Sequence, residues 1–343
     1  MELTTFFVTA ISSTVLYFML QGSFKQPRKI HRKNVVISGA SSGIGKETAL
    51  EFARQGSNLV LTARRQDVLN QVAEECRSIN KSIKVITVVG DVTDDLVQKK
   101  ILSDSLAAFS SIDFLVLNAG AISVNSVETI LDIDNQNIQK FDESSKKELQ
   151  QISNGNSSVK AANVDNLNSA LSKIMDINFH APVSLSSYFL PSLISSKGSI
   201  IVVSSMAGII GAPTRSLYSA SKFALNGYFH SLRMEMSRHN VNVSIICPGT
   251  VDTQLRLSAV DLKPSESKND QNVKANSGAG MDSISGSKKG KLSPEKCAKH
   301  IVNAAKYNHD LVCIPFKFKI SVYLNTLFPS FVDYLAKKKY GYL

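Results

Sequence analysis

The chain has 343 residues, 43% of them hydrophobic and 20% charged, with a formal net charge of +11. That apolar content supports one α/β domain of about 250 residues plus additions, and excludes a disordered polyelectrolyte. Cys76, Cys247, Cys297 and Cys313 show neither metal-ligand spacing nor a paired framework, which argues against a metal site or a disulfide scaffold and leaves buried thiols as the expectation.

Leu3 to Leu20 carries no charge over eighteen residues, a length of about 27 Å as a helix and close to a hydrocarbon core. Glu2 precedes it, whereas Lys25, Arg28, Lys29, Arg32 and Lys33 follow. A cleaved secretory signal usually starts with basic residues. The expectation is therefore an uncleaved anchor over residues 1–22 and a basic linker over 23–33, with a signal peptide as the alternative. The positive-inside rule turns the rest of the chain to the cytosol, with the endoplasmic reticulum as the expected membrane.

Asn34 to Ser38 reads as a short buried strand of a parallel sheet. It runs into Gly39-Ala40-Ser41-Ser42-Gly43-Ile44-Gly45 and then a helical stretch from Lys46 to about Gln55. Strand, glycine turn and helix make a phosphate cradle, because N–H groups at the helix start face the anion and the missing Cβ atoms permit close approach. A nucleotide-triphosphate loop does not fit, since its second glycine position, counted from Gly39, holds Ile44. The bland alternative is an ordinary tight turn. A second strand, Asn58 to Ala63, ends where a dinucleotide fold holds the adenosine ribose. Ala63 occupies the place of the usual acidic residue, and Arg64 and Arg65 follow. Two guanidinium groups suit a 2′-phosphate, so NADP(H) is expected over NAD(H); the alternative is that one of them, Arg65, is only solvated at a helix start.

Further apolar runs occur at Lys84–Val88, Asp113–Leu117, Ser199–Ser204, Val241–Cys247 and Leu311–Ile314, alternating with helical patterns. The alternation predicts a doubly wound parallel sheet of Rossmann type, an α/β single domain over 34–315. Tyr218 and Lys222 lie four residues apart, thirteen residues after Ser205. A Tyr and a Lys at i and i+4 share one helix face. A phenol ionises near pH 10, and lowering that by about three units takes roughly 4 kcal/mol of differential stabilisation. A desolvated ammonium and an oxidised nicotinamide ring together are the expected source, giving a proton donor and acceptor for carbonyl and alcohol chemistry.

Ser38-Gly-x-x-x-Gly-x-Gly45, Asp91, Asn118-Ala119-Gly120, Asn178, Ser205, Tyr218-x-x-x-Lys222 and Pro248-Gly249 stand in the order seen in short-chain dehydrogenases/reductases of the classical type, which this chain resembles over about Lys33 to Pro315. Met175–Val183, Tyr218–Ala224 and Val322–Pro329 resemble the member-7 branch of that family, especially its 7B-like proteins. The resemblance implies that Tyr218 is the general acid/base and that Ser205 binds the reacting oxygen. It implies that Lys222 lowers the phenol pKa and holds the ribose, and that Asn178 anchors a water leading protons to Lys222. Gly39, Ser41, Ser42, Gly43, Ile44 and Gly45 would cradle the pyrophosphate, with Asp91 and Val92 at the adenine. Asn118, Ala119 and Gly120 would border the cofactor, and Pro248, Gly249, Val251 and Thr253 would close over it. Three departures are visible: Ser38 for the usual Thr, Leu117 where a first Asn is common, and Ala181 for a frequent Gly. Asn178 and Asp91 also have structural alternatives, a helix kink and a helix N-cap.

Two polar stretches, about 132–168 and 258–291, interrupt the pattern; both read as surface insertions, the second overhanging the site. The positive charge clusters after the anchor, in the second insertion and at Lys337-Lys338-Lys339, which suits anionic lipid headgroups better than nucleic acid. Phe316 to Leu335 reads either as a membrane-touching helix or as one closing the pocket. The expected activity is NADP(H)-dependent interconversion of a carbonyl and an alcohol on a hydrophobic substrate, such as a lipid, steroid or retinoid. An idle NADPH-binding scaffold is the alternative, and the family resemblance implies dimers or tetramers.

Overall fold

The computed structural model describes residues 26–131, 164–261 and 291–343. The first half alternates as β1 (Asn34–Ser38), α1 (Gly43–Arg54), β2 (Asn58–Ala63), α2 (Gln66–Ile79), β3 (Val85–Val89), α3 (Asp95–Phe109), β4 (Phe114–Leu117) and a short α4 (Val127–Leu131). After residue 163 come α5 (Val164–Met175), a π-turn (Asp176–His180), α6 (Ala181–Ser196), β5 (Ser199–Val203), α7 (Ser216–Ser237) and β6 (Asn242–Pro248). The chain ends with α8 (Pro294–Tyr307), β7 (Leu311–Ile314), α9 (Lys317–Leu327) and α10 (Pro329–Tyr340). All seven expected strands form, each within about one residue of its sequence-read bounds.

The strands pair in parallel in the order β3-β2-β1-β4-β5-β6-β7. Val36 of β1 pairs with Val60 on one side and Leu115 on the other. Central strands of this kind are buried on both faces, which is why they read as unbroken Val, Ile and Leu runs. One face is covered by α1, α2 and α8, whose core includes Phe52 and Phe114 at a ring separation of 6.1 Å. The opposite face is covered by α3, α6 and α7, around Phe189 and Phe229. Truncating any of these buried rings to Ala costs about 3–5 kcal/mol. Strand order reverses between β1 and β4, and folds of this kind bind ligands at the carboxyl ends of the strands beside that switch point.

Part of the expected basic linker is folded onto this body. Arg28 donates to the Gly198 carbonyl and to Ser199 Oγ, and Lys33 pairs with Asp113 at 2.7 Å. Those two cations are engaged with protein. Among the described residues no helix is long and apolar enough to cross a membrane; the expected anchor lies outside them, as do most of the two polar insertions. Val164–Asn168, assigned to the first insertion from its composition, forms the first turn of α5. The tail differs as well: residues 316–335 are not one helix. Pro329 starts a second one after Phe328, because a proline fits the first turn of a helix but not its interior.

Candidate active site

The glycine turn closes onto the end of β4. Gly39 and Gly43 adopt φ values of +67° and +54°, the left-handed region that glycine enters freely. A Cβ on Gly39 would stand 2.8 Å from the Ala119 Cα. Ser38 Oγ accepts from the N–H groups of Asn118 and Ala119 at 3.0 and 3.1 Å, while Asn118 Nδ2 donates to the carbonyls of Ser38 and Gly39. The Ser in place of Thr therefore retains the hydroxyl that ties β1 to β4. Helix α1 begins at Gly43, three residues earlier than its apolar pattern suggested, so the turn itself forms the helix start. Ser42 at the N-cap makes no side-chain capping bond, and the first turn carries no acidic residue. Helix-start N–H groups left in that state suit an anion.

The two arginines after β2 separate in role. Arg65 Nη2 donates to Ser41 Oγ at 3.3 Å, which brings its guanidinium to the glycine turn. Arg64 forms an ion pair with Asp91 at 3.6 Å. Arg65 is exposed at the start of α2, as its solvated alternative has it, and adds this one contact to the glycine turn. Asp91 Oδ1 accepts from Thr93 N and Oγ1, and the N-cap of α3 is Asp94, not Asp91. Val92 beside it is buried.

Four side chains meet on the other side of β4. Tyr218 and Lys222 lie on α7, and both are buried. Ser205 caps the turn after β5, accepting from Ala207 N at 3.1 Å. Lys222 Nζ donates to the Val203 carbonyl at 3.2 Å. The π-turn widens the helix between α5 and α6, a feature found often at functional sites, and aims Asn178 inward. Its Oδ1 accepts from Ala121 N at 2.9 Å, and its Nδ2 donates to the Ala121 carbonyl and to Ser221 Oγ. The amide is spent on these partners, so its side chain braces the Gly120–Ala121 segment against α7. A Cβ on Gly120 would stand 2.9 Å from Asn178 Oδ1 and 3.7 Å from Lys222 Nζ, so only a glycine fits between them.

Burial holds the Tyr218 phenol above its ordinary value, while the Ser205 hydrogen bond and the charge of Arg215 pull it down. Burial also lowers Lys222 to about 8. The sequence reading assigns the downward pull on Tyr218 to the Lys222 ammonium together with an oxidised nicotinamide ring. Without a cofactor, the pull comes from Ser205 and Arg215, while the ammonium sits 5.9 Å from the ring centroid and donates to Val203. The sequence pattern does not mark Arg215, and its place three residues before Tyr218 is the one local signal of its role.

Pro248 ends β6 and Gly249 follows it. Gly249 lies under the Phe318 ring of α9, Val251 bridges to Leu292, and Thr253 Cγ2 is 3.0 Å from where a Gly43 Cβ would be. The segment after β6 therefore reaches back to the glycine turn. It also grips the segment after β4: Asp261 accepts from Ser123 Oγ and from the N–H groups of Val124 and Asn125. Cys247 next to the site is buried, with its thiol pushed up to about 12, and so is inert. The residues expected at the pyrophosphate, ribose phosphate, nicotinamide and substrate oxygen thus follow the carboxyl ends of β1, β2, β4, β5 and β6, with Tyr218 and Lys222 added from α7.

Comparison with known proteins agrees with this geometry. The short chain dehydrogenase family model matches residues 33–262. The 11-beta-hydroxysteroid dehydrogenase 1A of Arabidopsis thaliana is 30% identical over 98% of this chain and 84% of its own. A hydroxysteroid 11-beta-dehydrogenase 1-like protein of Xenopus tropicalis is 30% identical, over 75% of this chain and 77% of its own. A short chain dehydrogenase/reductase from Burkholderia phymatum, solved with NAD, superposes with a TM-score of 0.66 at 20% identity, covering 88% of this chain and 95% of that one. An archaeal alcohol dehydrogenase from Thermococcus sibiricus, solved with 5-hydroxy-NADP, gives 0.58 at 21% identity, covering 83% and 95%. The chain belongs to the short-chain dehydrogenase family. It is an oxidoreductase of hydroxyl groups that works with a nicotinamide cofactor.

Proposed function

We propose that this protein interconverts a ketone or aldehyde and its alcohol on an apolar lipid-like substrate, a hydroxysteroid first among the candidates, and that it prefers NADP(H). The observation that carries the reading is the joined set Ser205, Tyr218, Lys222 and Asn178 beside a glycine turn to which Arg65 is bonded. Names of the relatives favour the steroid. The bound nicotinamide supplies or accepts the hydride. Ser205 holds the substrate oxygen, and Tyr218 gives it a proton in reduction or takes one in oxidation. Lys222, with its buried ammonium on the Val203 carbonyl, binds the ribose hydroxyls. A water relay passing Asn178 runs along its main chain, since its side-chain amide is occupied. Arg65 and Arg64 neutralise the 2′-phosphate, Arg64 by exchanging Asp91 for it. The test is fluorescence titration with NADPH and NADH, followed by turnover on a panel of steroid and lipid ketones. Tyr218→Phe should keep NADPH binding and lose turnover by about 10²–10⁴-fold. Unchanged turnover in that variant removes the assigned mechanism, and folded protein that binds neither nucleotide removes the reading.

We further propose that the chain sits on the cytosolic face of the endoplasmic reticulum membrane, anchored through Leu3–Leu20. Helices α9 and α10 support this: Phe316 and Leu327 are 71% and 69% exposed, and Phe328, Phe331 and Leu335 are exposed as well, with Lys337, Lys338 and Lys339 closing the last turn of α10. Apolar faces bordered by lysines suit an anionic bilayer surface. Phe318 and Val322 of α9 pack inward, so one helix serves the pocket and the lipid with opposite faces. Membranes carrying the full chain and washed at pH 11 should retain it; release into the wash removes the anchor.

A further inference from the structure

Three features around Arg215 each cost stability, and they meet at one residue. Thr214 before it has φ +60°, a left-handed conformation that a β-branched residue adopts only under constraint. Arg215 occupies the N-cap of α7, where the helix dipole disfavours a cation. Its side chain is buried at 6% exposure, and its hydrogen bonds run to neutral oxygens: the carbonyls of Ser123 and Val124 at 3.3 Å, the Thr214 carbonyl at 2.8 Å and Thr214 Oγ1 at 3.2 Å. Among the described residues no carboxylate stands within ion-pair distance of it. A desolvated cation without a paired anion is expensive, and such arrangements persist where function uses them.

The group that turns anionic beside it is Tyr218, three residues along the same helix. Charges acting on Arg215 come from Tyr340 of α10, from Arg256 and Asp261 after β6, and from Tyr218. Tyr218 is faced by Ser205, Arg215 and Cys247, with Lys222 at 5.9 Å from its ring. Resting on the reading of Tyr218 as proton donor and acceptor, we propose that Arg215 is a positioning residue: its permanent charge favours the phenolate of Tyr218, and its carbonyl bonds hold Ser123 and Val124 beside the reacting groups. Lys222, lowered to about 8, has lost half its charge near that pH, whereas a guanidinium does not titrate in that range. Arg215 is therefore the cation that remains as the pH rises.

The experiment follows Tyr218 directly, by carbon NMR of ζ-13C-tyrosine in the full chain, with and without NADP+, and with the signal assigned by its loss in Tyr218→Phe. Arg215→Gln should raise the midpoint of phenol ionisation by about one pH unit or more, a tenfold loss of phenolate at fixed pH. Arg215→Lys, which keeps the charge but cannot span both carbonyls, should bring it back. A midpoint unmoved in folded Arg215→Gln overturns the proposal. So does a shift that Arg215→Lys fails to reverse, since that would mark a purely structural role. If Arg215→Gln does not fold, Arg215→Met serves instead: it removes the charge, keeps an unbranched stem for the buried site and should raise the midpoint in the same way, and no change overturns the proposal. A midpoint that responds to Arg215 in protein that turns over no carbonyl keeps this inference and removes the functional reading instead.

Discussion

Lys222→Met should make the cofactor-free protein more stable at neutral pH while destroying its activity. Lys222 is 5% exposed, and burial brings its pKa from 10.5 to about 8. At ~1.4 kcal/mol per pH unit, holding the charged form in the folded state costs about 3 kcal/mol. Methionine fills the same volume without a charge. It forfeits the bond to Val203 O, a loss of about 1 kcal/mol, so a net gain of about 2 kcal/mol is expected at pH 7. The pH dependence identifies the cause. Below about pH 8 both folded and unfolded lysine carry the proton, and the penalty is complete. Between about 8 and 10.5 the unfolded chain holds the proton that the folded protein has shed, so wild-type stability rises with pH. Above that range the penalty is gone, and so is the advantage of methionine. Urea unfolding of both proteins at pH 7 and pH 10, without nucleotide, measures the difference. A variant that is no more stable at pH 7, or whose advantage is equal at both pH values, would refute the reasoning.

Arg65→Ala should weaken NADPH binding at least about tenfold, the loss of a charge-assisted hydrogen bond, and leave NADH binding unchanged; equal losses for both nucleotides would assign Arg65 to the fold alone. Gly43→Val places a branched side chain at φ +54° and against Thr253, a strain of about 1–2 kcal/mol. Calorimetric titration should find NADPH affinity reduced, and wild-type affinity in that variant would mean the turn does not carry the pyrophosphate. Asp261→Ala removes the acceptor shared by Ser123, Val124 and Asn125. Limited proteolysis should then cut the segment after β6 faster than in wild type, and an unchanged cleavage rate would show that other bonds hold that segment.

The sequence by itself determined the elements that depend on local pattern. Apolar runs marked seven strands, the glycines from Gly39 to Gly45 marked the turn, and a spacing of four put Tyr218 and Lys222 on one helix face. Strand periodicity, left-handed turns and i, i+4 pairing are properties of neighbouring residues, so they survive in a string of letters. Tertiary structure decided what depends on distant partners. Arg65 reaches Ser41 across 24 positions, and Asn178 reaches Ala121 across 57; no local spacing encodes which arginine turns inward or that a π-turn aims the amide. The break between α9 and α10 was written locally in Pro329, but the packing of Phe318 on Gly249 was not. Desolvation is the clearest case. Tyr218 is raised and Lys222 lowered because the packed domain removes water from both, and what opposes this at Tyr218 is Ser205 together with Arg215, a cation whose burial only the folded chain creates.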